Sequence, residues 1–262
     1  MNILITGARS GIARDLILKL VKNKKSNYKI YATTHTKMQK EALEEELSEY
    51  NNVFCFKLDI TNNEDIKLIE NMDIDILICN AAISVGGSIL DIPIDKVREN
   101  YEVNVFSNFN LIQKVANKMI EKNSGKIIIM GSLASLIPIN FIGIYASTKS
   151  AIYMLSKTLS NEIKLITDKV HIVLIEPGLY HTGFNQVMLE SKYDYMKDSH
   201  FKEKLDKISI KEKLIFDSLE KNDTNSITNK IVEAIKVDSP KFIYRAPITQ
   251  VASAKIYNLF KS

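Results

Sequence analysis

Tyr145 and Lys149 stand four residues apart at the start of a segment in which Ile152, Leu155 and Leu159 recur at helical spacing. Residues at i and i+4 share one helix face. A phenol with an ordinary pKa near ~10 exchanges protons poorly at neutral pH, so a reactive tyrosine needs a cation that favours its phenolate. Lys149 is placed to supply one. Alone, such a pair is common on surface helices. Ser132, earlier in the chain at the carboxyl end of an apolar run, singles it out. Open α/β sheets place their ligand crevice there, and a serine hydroxyl can hydrogen-bond a reacting carbonyl oxygen.

A second constellation is Thr6-Gly7-Ala8-Arg9-Ser10-Gly11-Ile12-Ala13, which follows the first apolar run and opens the first helical segment. A strand turning tightly into a helix aims unpaired N–H groups and the positive end of the helix dipole at one spot, where a diphosphate can bind if no side chain blocks it. Gly7 and Gly11 are expected to keep that approach open. The spacing departs from G-x-G-x-x-G, and Ala13 occupies the third glycine position.

These residues need a scaffold. Short apolar runs at 2–6, 29–33, 53–58, 74–79, 126–130, 170–175 and 242–244 alternate with helical patterns at 11–23, 38–49, 63–71, 94–121, 145–166 and 225–237. Such alternation predicts an α/β fold of the Rossmann type, a doubly wound, mostly parallel sheet of about seven strands with helices on both faces. The runs 75–79 and 126–130 are continuously apolar, as central strands buried on both faces should be. No Pro-rich or Gly/Ser-rich linker and no repeat divides residues 1–262, which therefore read as one domain. Residues 183–224 interrupt the alternation as a long charged insert after a strand's carboxyl end, the place for a substrate lid.

Composition excludes several function classes. The 35 basic residues are interspersed with 31 acidic ones for a net charge of +4, which offers nucleic acid no cationic stripe. No stretch approaches the ~18 to 20 apolar residues of a membrane span, and the chain opens directly into a strand-like segment, so a cytoplasmic protein is expected. Cys55 and Cys79 sit in separate apolar runs without metal-ligand spacing, and no metal is expected.

The sequence resembles the short-chain dehydrogenase/reductases of the single-domain subgroup. The resemblance rests on TGARSGIA, on Cys79-Asn80-Ala81-Ala82, on Ser132 with Tyr145 and Lys149, and on Pro177-Gly178 followed by Thr182, in that order. It implies an oxidoreductase in which Tyr145 is the general acid in reduction and the base in oxidation. Ser132 would orient the carbonyl, and Lys149 would hydrogen-bond the nicotinamide ribose while lowering the tyrosine pKa. Asn104 would hold a proton-relay water. The cofactor set it implies is Gly7, Arg9, Ser10, Gly11 and Ile12, then Asp59 and Ile60 at the adenine and Asn80 and Ala81 along the adenosine. Pro177, Gly178 and Thr182 would lie near the carboxamide. Ala13, Ala82 and Ser107 replace glycines usual in the family. The resemblance also implies a homodimer or homotetramer, for which 252–260 could supply a contact surface.

The second strand, Lys29 to Thr34 and His35, ends without the carboxylate that accepts ribose hydroxyls in NAD-selective proteins. Thr34, His35, Arg9 and Lys37 instead offer donors to a 2′-phosphate, so NADP(H) is favoured, with NAD(H) the alternative. The expected substrate is a medium-sized, partly apolar carbonyl or alcohol, lined by Phe184, Val187, Met188, Tyr193, Tyr195 and Met196. The competing readings are a catalytically idle dinucleotide sensor or scaffold and, ranked last, a sugar-nucleotide epimerase.

Overall fold

A computed structural model describes residues 1–23 and 27–261, with side chains as far as Tyr257. Its strands are β1 (Asn2–Ile5), β2 (Lys29–Thr34), β3 (Val53–Lys57), β4 (Ile76–Cys79), β5 (Gly125–Met130), β6 (Val170–Pro177) and β7 (Ile243–Ala246). The helices are α1 (Gly11–Val21), α2 (Lys37–Glu46), α3 (Asn63–Glu70), α4 (Ile94–Tyr101), α5 (Asn108–Lys122), α6 (Gly143–Lys164), α7 (Phe184–Tyr195), α8 (Leu205–Leu219), α9 (Asn225–Lys236) and α10 (Ile248–Lys261). All seven strands form one sheet in the order β3-β2-β1-β4-β5-β6-β7, and every pairing is parallel.

The sheet is covered on both faces, which is why its central strands carry no polar side. In β1, Ile3 and Ile5 point into the layer filled by α1, α2 and α9, whereas Leu4 points into the layer filled by α3, α5 and α6. All three are fully buried, and burying an aliphatic side chain of this size stabilises the fold by ~1.5–3 kcal/mol. After β3 the chain crosses to the other side of β1 to lay down β4. The connections leaving β1 and β4 therefore diverge and open a crevice at their carboxyl ends.

Two expectations are corrected, and a third lies partly outside the described residues. The helix expected over 94–121 is broken by a π-helical stretch, Glu102–Ser107, between α4 and α5. The insert 183–224 is not a loop: α7 and α8 occupy most of it. Its helical stripe escapes detection because a buried position of α7 is a lysine, Lys192, which forms an ion pair with Glu212 of α8. The 252–260 surface lies on α10, where the side chains of Asn258, Leu259 and Phe260 fall outside those described. No helix among the described residues is long and apolar enough to cross a membrane.

Candidate active site

The crevice is a cavity of about 1320 Å³ that runs from the β1–α1 loop past the ends of β4 and β5 to α7 and α8. At one end the glycine loop is fixed by its backbone. Gly7 and Gly11 have φ of +64° and +63°, a conformation that side chains disfavour. A Cβ on Gly7 would lie 2.8 Å from the Ala81 Cα, and one on Gly11 would lie 3.1 Å from the Thr182 Cβ. The two glycines thus allow close packing against Ala81 and Thr182, and both also line the cavity. Ser10 precedes the first turn of α1 without making a side-chain cap, which leaves that turn's N–H groups to a ligand. Ala13 is buried, and Ile12 packs against the same core layer.

Asn80 does more structural work than the resemblance implies. Its Nδ2 donates to the carbonyls of Thr6 (3.1 Å) and Gly7 (2.9 Å), while the backbone N–H groups of Asn80 and Ala81 both donate to the Thr6 hydroxyl (3.0 Å each). Thr6, fully buried, locks the β1 and β4 loops together, a role invisible in a sequence where it reads as the last residue of a strand.

At the end of β2 the expected phosphate donors separate. Thr34 lines the cavity but is buried, and its hydroxyl already donates to the Thr36 carbonyl at 3.1 Å. Lys37 lies off the cavity wall and pairs with Glu41 at 3.8 Å. Arg9 and His35 are exposed and line the cavity, joined by Gln39, which the sequence reading missed. The His35 Nε2 is 3.3 Å from Asp59, whose other oxygen accepts from the Thr61 backbone and hydroxyl. Burial works against ionisation of Asp59, but the bonds from Thr61 and the neighbouring His35 outweigh it and hold the carboxyl below its ordinary range. Ile60, beside it, is buried and apolar.

Tyr145 and Lys149 occupy one face of α6, and Ser132 follows β5. All three line the cavity and are nearly enclosed. The Tyr145 ring packs with Ile142, Met188 and Phe216 and lies 5.6 Å from the Phe184 ring. Burial pushes its phenol up to about 12, with a bond from the Ser132 hydroxyl offsetting part of the rise. The Lys149 Nζ lies 5.7 Å from the centroid of the Tyr145 ring. It donates to the Met130 carbonyl at 2.9 Å, and burial brings the lysine's own pKa down to about 8. Enclosure disfavours both charged forms.

Asn104 lies in the π-helical stretch. Its amide bonds both backbone groups of Ile83 (2.9 Å each) and the Thr148 hydroxyl (3.1 Å), tying the β4 loop to α6. Ser107 donates to Glu102 at 2.8 Å across the same stretch. Pro177 and Gly178 end the cavity wall at β6, where a Cβ on Gly178 would lie 2.1 Å from the Gln250 Oε1. Behind Ser132 lies a feature the sequence reading missed. The Ser135 hydroxyl is 2.7 Å from the Ser132 carbonyl and 3.1 Å from Glu176, a fully buried carboxylate that accepts from Arg245 at 2.5 Å.

A family model described as short chain dehydrogenase matches residues 1–192. The chain is a short-chain dehydrogenase/reductase. It is 30% identical over 201 residues to a probable short-chain type dehydrogenase/reductase, VdlC, of Helicobacter pylori, covering 74% of this chain and 70% of that one. It is 31% identical to an NADP-dependent 3-hydroxy acid dehydrogenase of Schizosaccharomyces pombe over 71% of this chain and 74% of that one. The match spans only 55–62% of the length of four other curated relatives. A solved short-chain dehydrogenase/reductase from Burkholderia phymatum in complex with NAD superposes with a TM-score of 0.80 at 18% identity, covering 100% of this chain and 95% of that one.

For a member of this family, the cavity has room for two molecules. Its volume exceeds the ~300–1,000 Å³ of an ordinary single-ligand pocket. The uncapped first turn of α1 fits a diphosphate, and the apolar cluster around Tyr145 forms the other end. Of the residues expected to line the substrate, Phe184, Val187 and Met188 line the cavity, whereas Tyr193, Tyr195 and Met196 do not. Tyr195 packs beside Val85 and Ile92, Met196 is wholly buried, and Tyr193 lies beside Lys192.

Proposed function

We propose that this protein is an NADP(H)-dependent oxidoreductase that reduces the carbonyl group of a small molecule to an alcohol, within one catalytic domain. The observation that carries the proposal is the convergence of the Tyr145 phenol, the Ser132 hydroxyl and Lys149, all three buried, in one cavity that begins at the α1 N-terminus. The first turn of α1, with Arg9 and Ser10 beside it, would hold the diphosphate. Arg9, His35 and Gln39 would take the 2′-phosphate, and Lys149 the nicotinamide ribose. Bound nicotinamide would supply the hydride.

In this reading Ser132 hydrogen-bonds the substrate oxygen, which sets the carbonyl beside Tyr145. A phenol held near 12 keeps its proton at neutral pH, so Tyr145 stands ready to protonate the oxygen as negative charge develops there. That state favours reduction, since oxidation would need the phenolate. The absence of a carboxylate at the end of β2 supports NADP(H), as does the exposure of Arg9 at the loop. NADPH absorbance across a panel of ketones and aldehydes tests the proposal, with Tyr145→Phe as control. General acid catalysis contributes ~10²–10⁴-fold, and a loss of that order with cofactor binding retained is expected. Undiminished turnover in the variant would overturn the role of Tyr145, and NADPH binding without turnover of any carbonyl would favour a sensor.

A further inference from the structure

The walls of the cavity define a substrate class, an inference that rests on the reductase reading above. Residues 132–149 and 177–257 supply the wall beyond the glycine loop, and Lys149 is the one ionisable cation among the described residues that these segments place on it. Its Nζ faces the Met130 carbonyl. The remaining charges on the cavity are Arg9 and His35 on the β1 and β2 loops and the carboxylates Asp59, Glu99 and Glu102, which repel anions.

Several polar side chains of that wall are used in building it. Asn185 donates to the Tyr180 carbonyl and to Glu220, and the Tyr180 hydroxyl pairs with Ser226. Gln250 accepts from the Leu179 N–H and donates to the Leu219 carbonyl, while Ser253 donates to the Thr249 carbonyl. What faces the cavity from α7 and α8 is Phe184, Val187, Met188, Ile215, Phe216 and Leu219. Val187, Ile215 and Leu219 are exposed, so the apolar lining continues from Tyr145 to the mouth. An exposed apolar rim continuous with a buried apolar pocket recognises by area and shape.

We propose that the substrate is an uncharged ketone or aldehyde with an extended hydrocarbon body, lying between α6, α7 and α8 with its oxygen at Ser132 and Tyr145. Carboxylate-bearing substrates, the class named for the Schizosaccharomyces pombe relative, are disfavoured because Lys149, the one cation along that wall among the described residues, is already held by the Met130 carbonyl.

The test is reduction by NADPH of 2-butanone, 2-hexanone, 2-octanone and 2-decanone beside 3-oxooctanoate. The value of kcat/KM should rise about fourfold per buried methylene, and 3-oxooctanoate should fall at least about 100-fold below 2-octanone. Val187→Arg, at an exposed rim position, should narrow the gap between 3-oxooctanoate and 2-octanone about tenfold. A flat ketone series, or a 3-oxo acid reduced as well as its ketone, would overturn the substrate class while leaving the reductase reading intact. If no carbonyl turns over, the reductase reading fails, and calorimetric titration of the NADP⁺-loaded protein decides the substrate class. There 2-decanone should bind far more tightly than 2-butanone, and equal or absent binding of the two would overturn it.

Discussion

Replacing Lys149 by methionine is expected to stabilise the protein at pH 7 while removing its chemistry. Lys149 is 4% exposed, and burial lowers its pKa from 10.5 to about 8. At ~1.4 kcal/mol for each tenfold change in proton affinity, keeping the ammonium protonated inside the fold costs ~3 kcal/mol. The sign follows from proton uptake. Between about pH 8 and 10.5 the unfolded chain binds a proton that the folded chain does not, so stability rises with pH across that window; below pH 8 the whole penalty is present.

Methionine fills similar space with an adaptable, uncharged chain. Its cost is the bond to the Met130 carbonyl, worth ~1 kcal/mol. The balance is a gain of ~2 kcal/mol at pH 7. By pH 10 the gain should have nearly vanished, because the wild-type amine is then neutral and keeps its bond while only ~1 kcal/mol of the penalty remains. Urea unfolding of both proteins at pH 7 and 10 measures the difference, and the other lysines, Lys192 included, cancel in the comparison. A variant less stable at pH 7, or a difference that does not change with pH, would refute the reasoning.

Three further outcomes are expected. Because the Lys149 ammonium of the free protein is lost as pH rises through about 8, kcat/KM for reduction should fall above that pH, with Tyr145 near 12 adding nothing below pH 10; a flat profile from pH 6 to 10 would mean the charge is not used. Arg9→Ala should raise KM for NADPH by ~10- to 100-fold, the worth of one charge-assisted hydrogen bond, and raise KM for NADH far less; equal effects would defeat the cofactor assignment. Ser135 acts as a positioning residue through the Ser132 carbonyl, so Ser135→Ala should lower kcat about fivefold and leave KM for the cofactor unchanged; an unchanged kcat would place Ser135 outside the mechanism.

The fold was legible because its signals are local. Continuous apolar runs gave all seven strands, and Ser132, Tyr145 and Lys149 stood out because short spacings survive translation into one strand end and one helix face. What escaped depends on enclosure or on partners far along the chain. The charge of Lys149 follows from everything packed around it, which no spacing encodes. Glu176 looks like any strand carboxylate until Arg245 arrives from β7, and Gln250 meets Gly178 only through folding. Within α7 the aromatic and sulfur residues appeared as one lining, but helical geometry sends Phe184, Val187 and Met188 to the cavity and Tyr195 toward Val85. The π-helical stretch left no trace in composition, though it carries Asn104.

The family-wide match ends at residue 192, nine residues into α7. The parts that would hold the dinucleotide and move the proton lie before that point, whereas α8 and the α10 side of the cavity lie beyond it. In the proposed reading the chemistry thus precedes most of the substrate-facing wall along the chain, with Phe184, Val187 and Met188 at the junction. Recombination or drift in the later stretch can change which molecule is accepted without re-evolving the chemistry, and exchanging α7 and α8 between relatives is the natural way to transplant a substrate range.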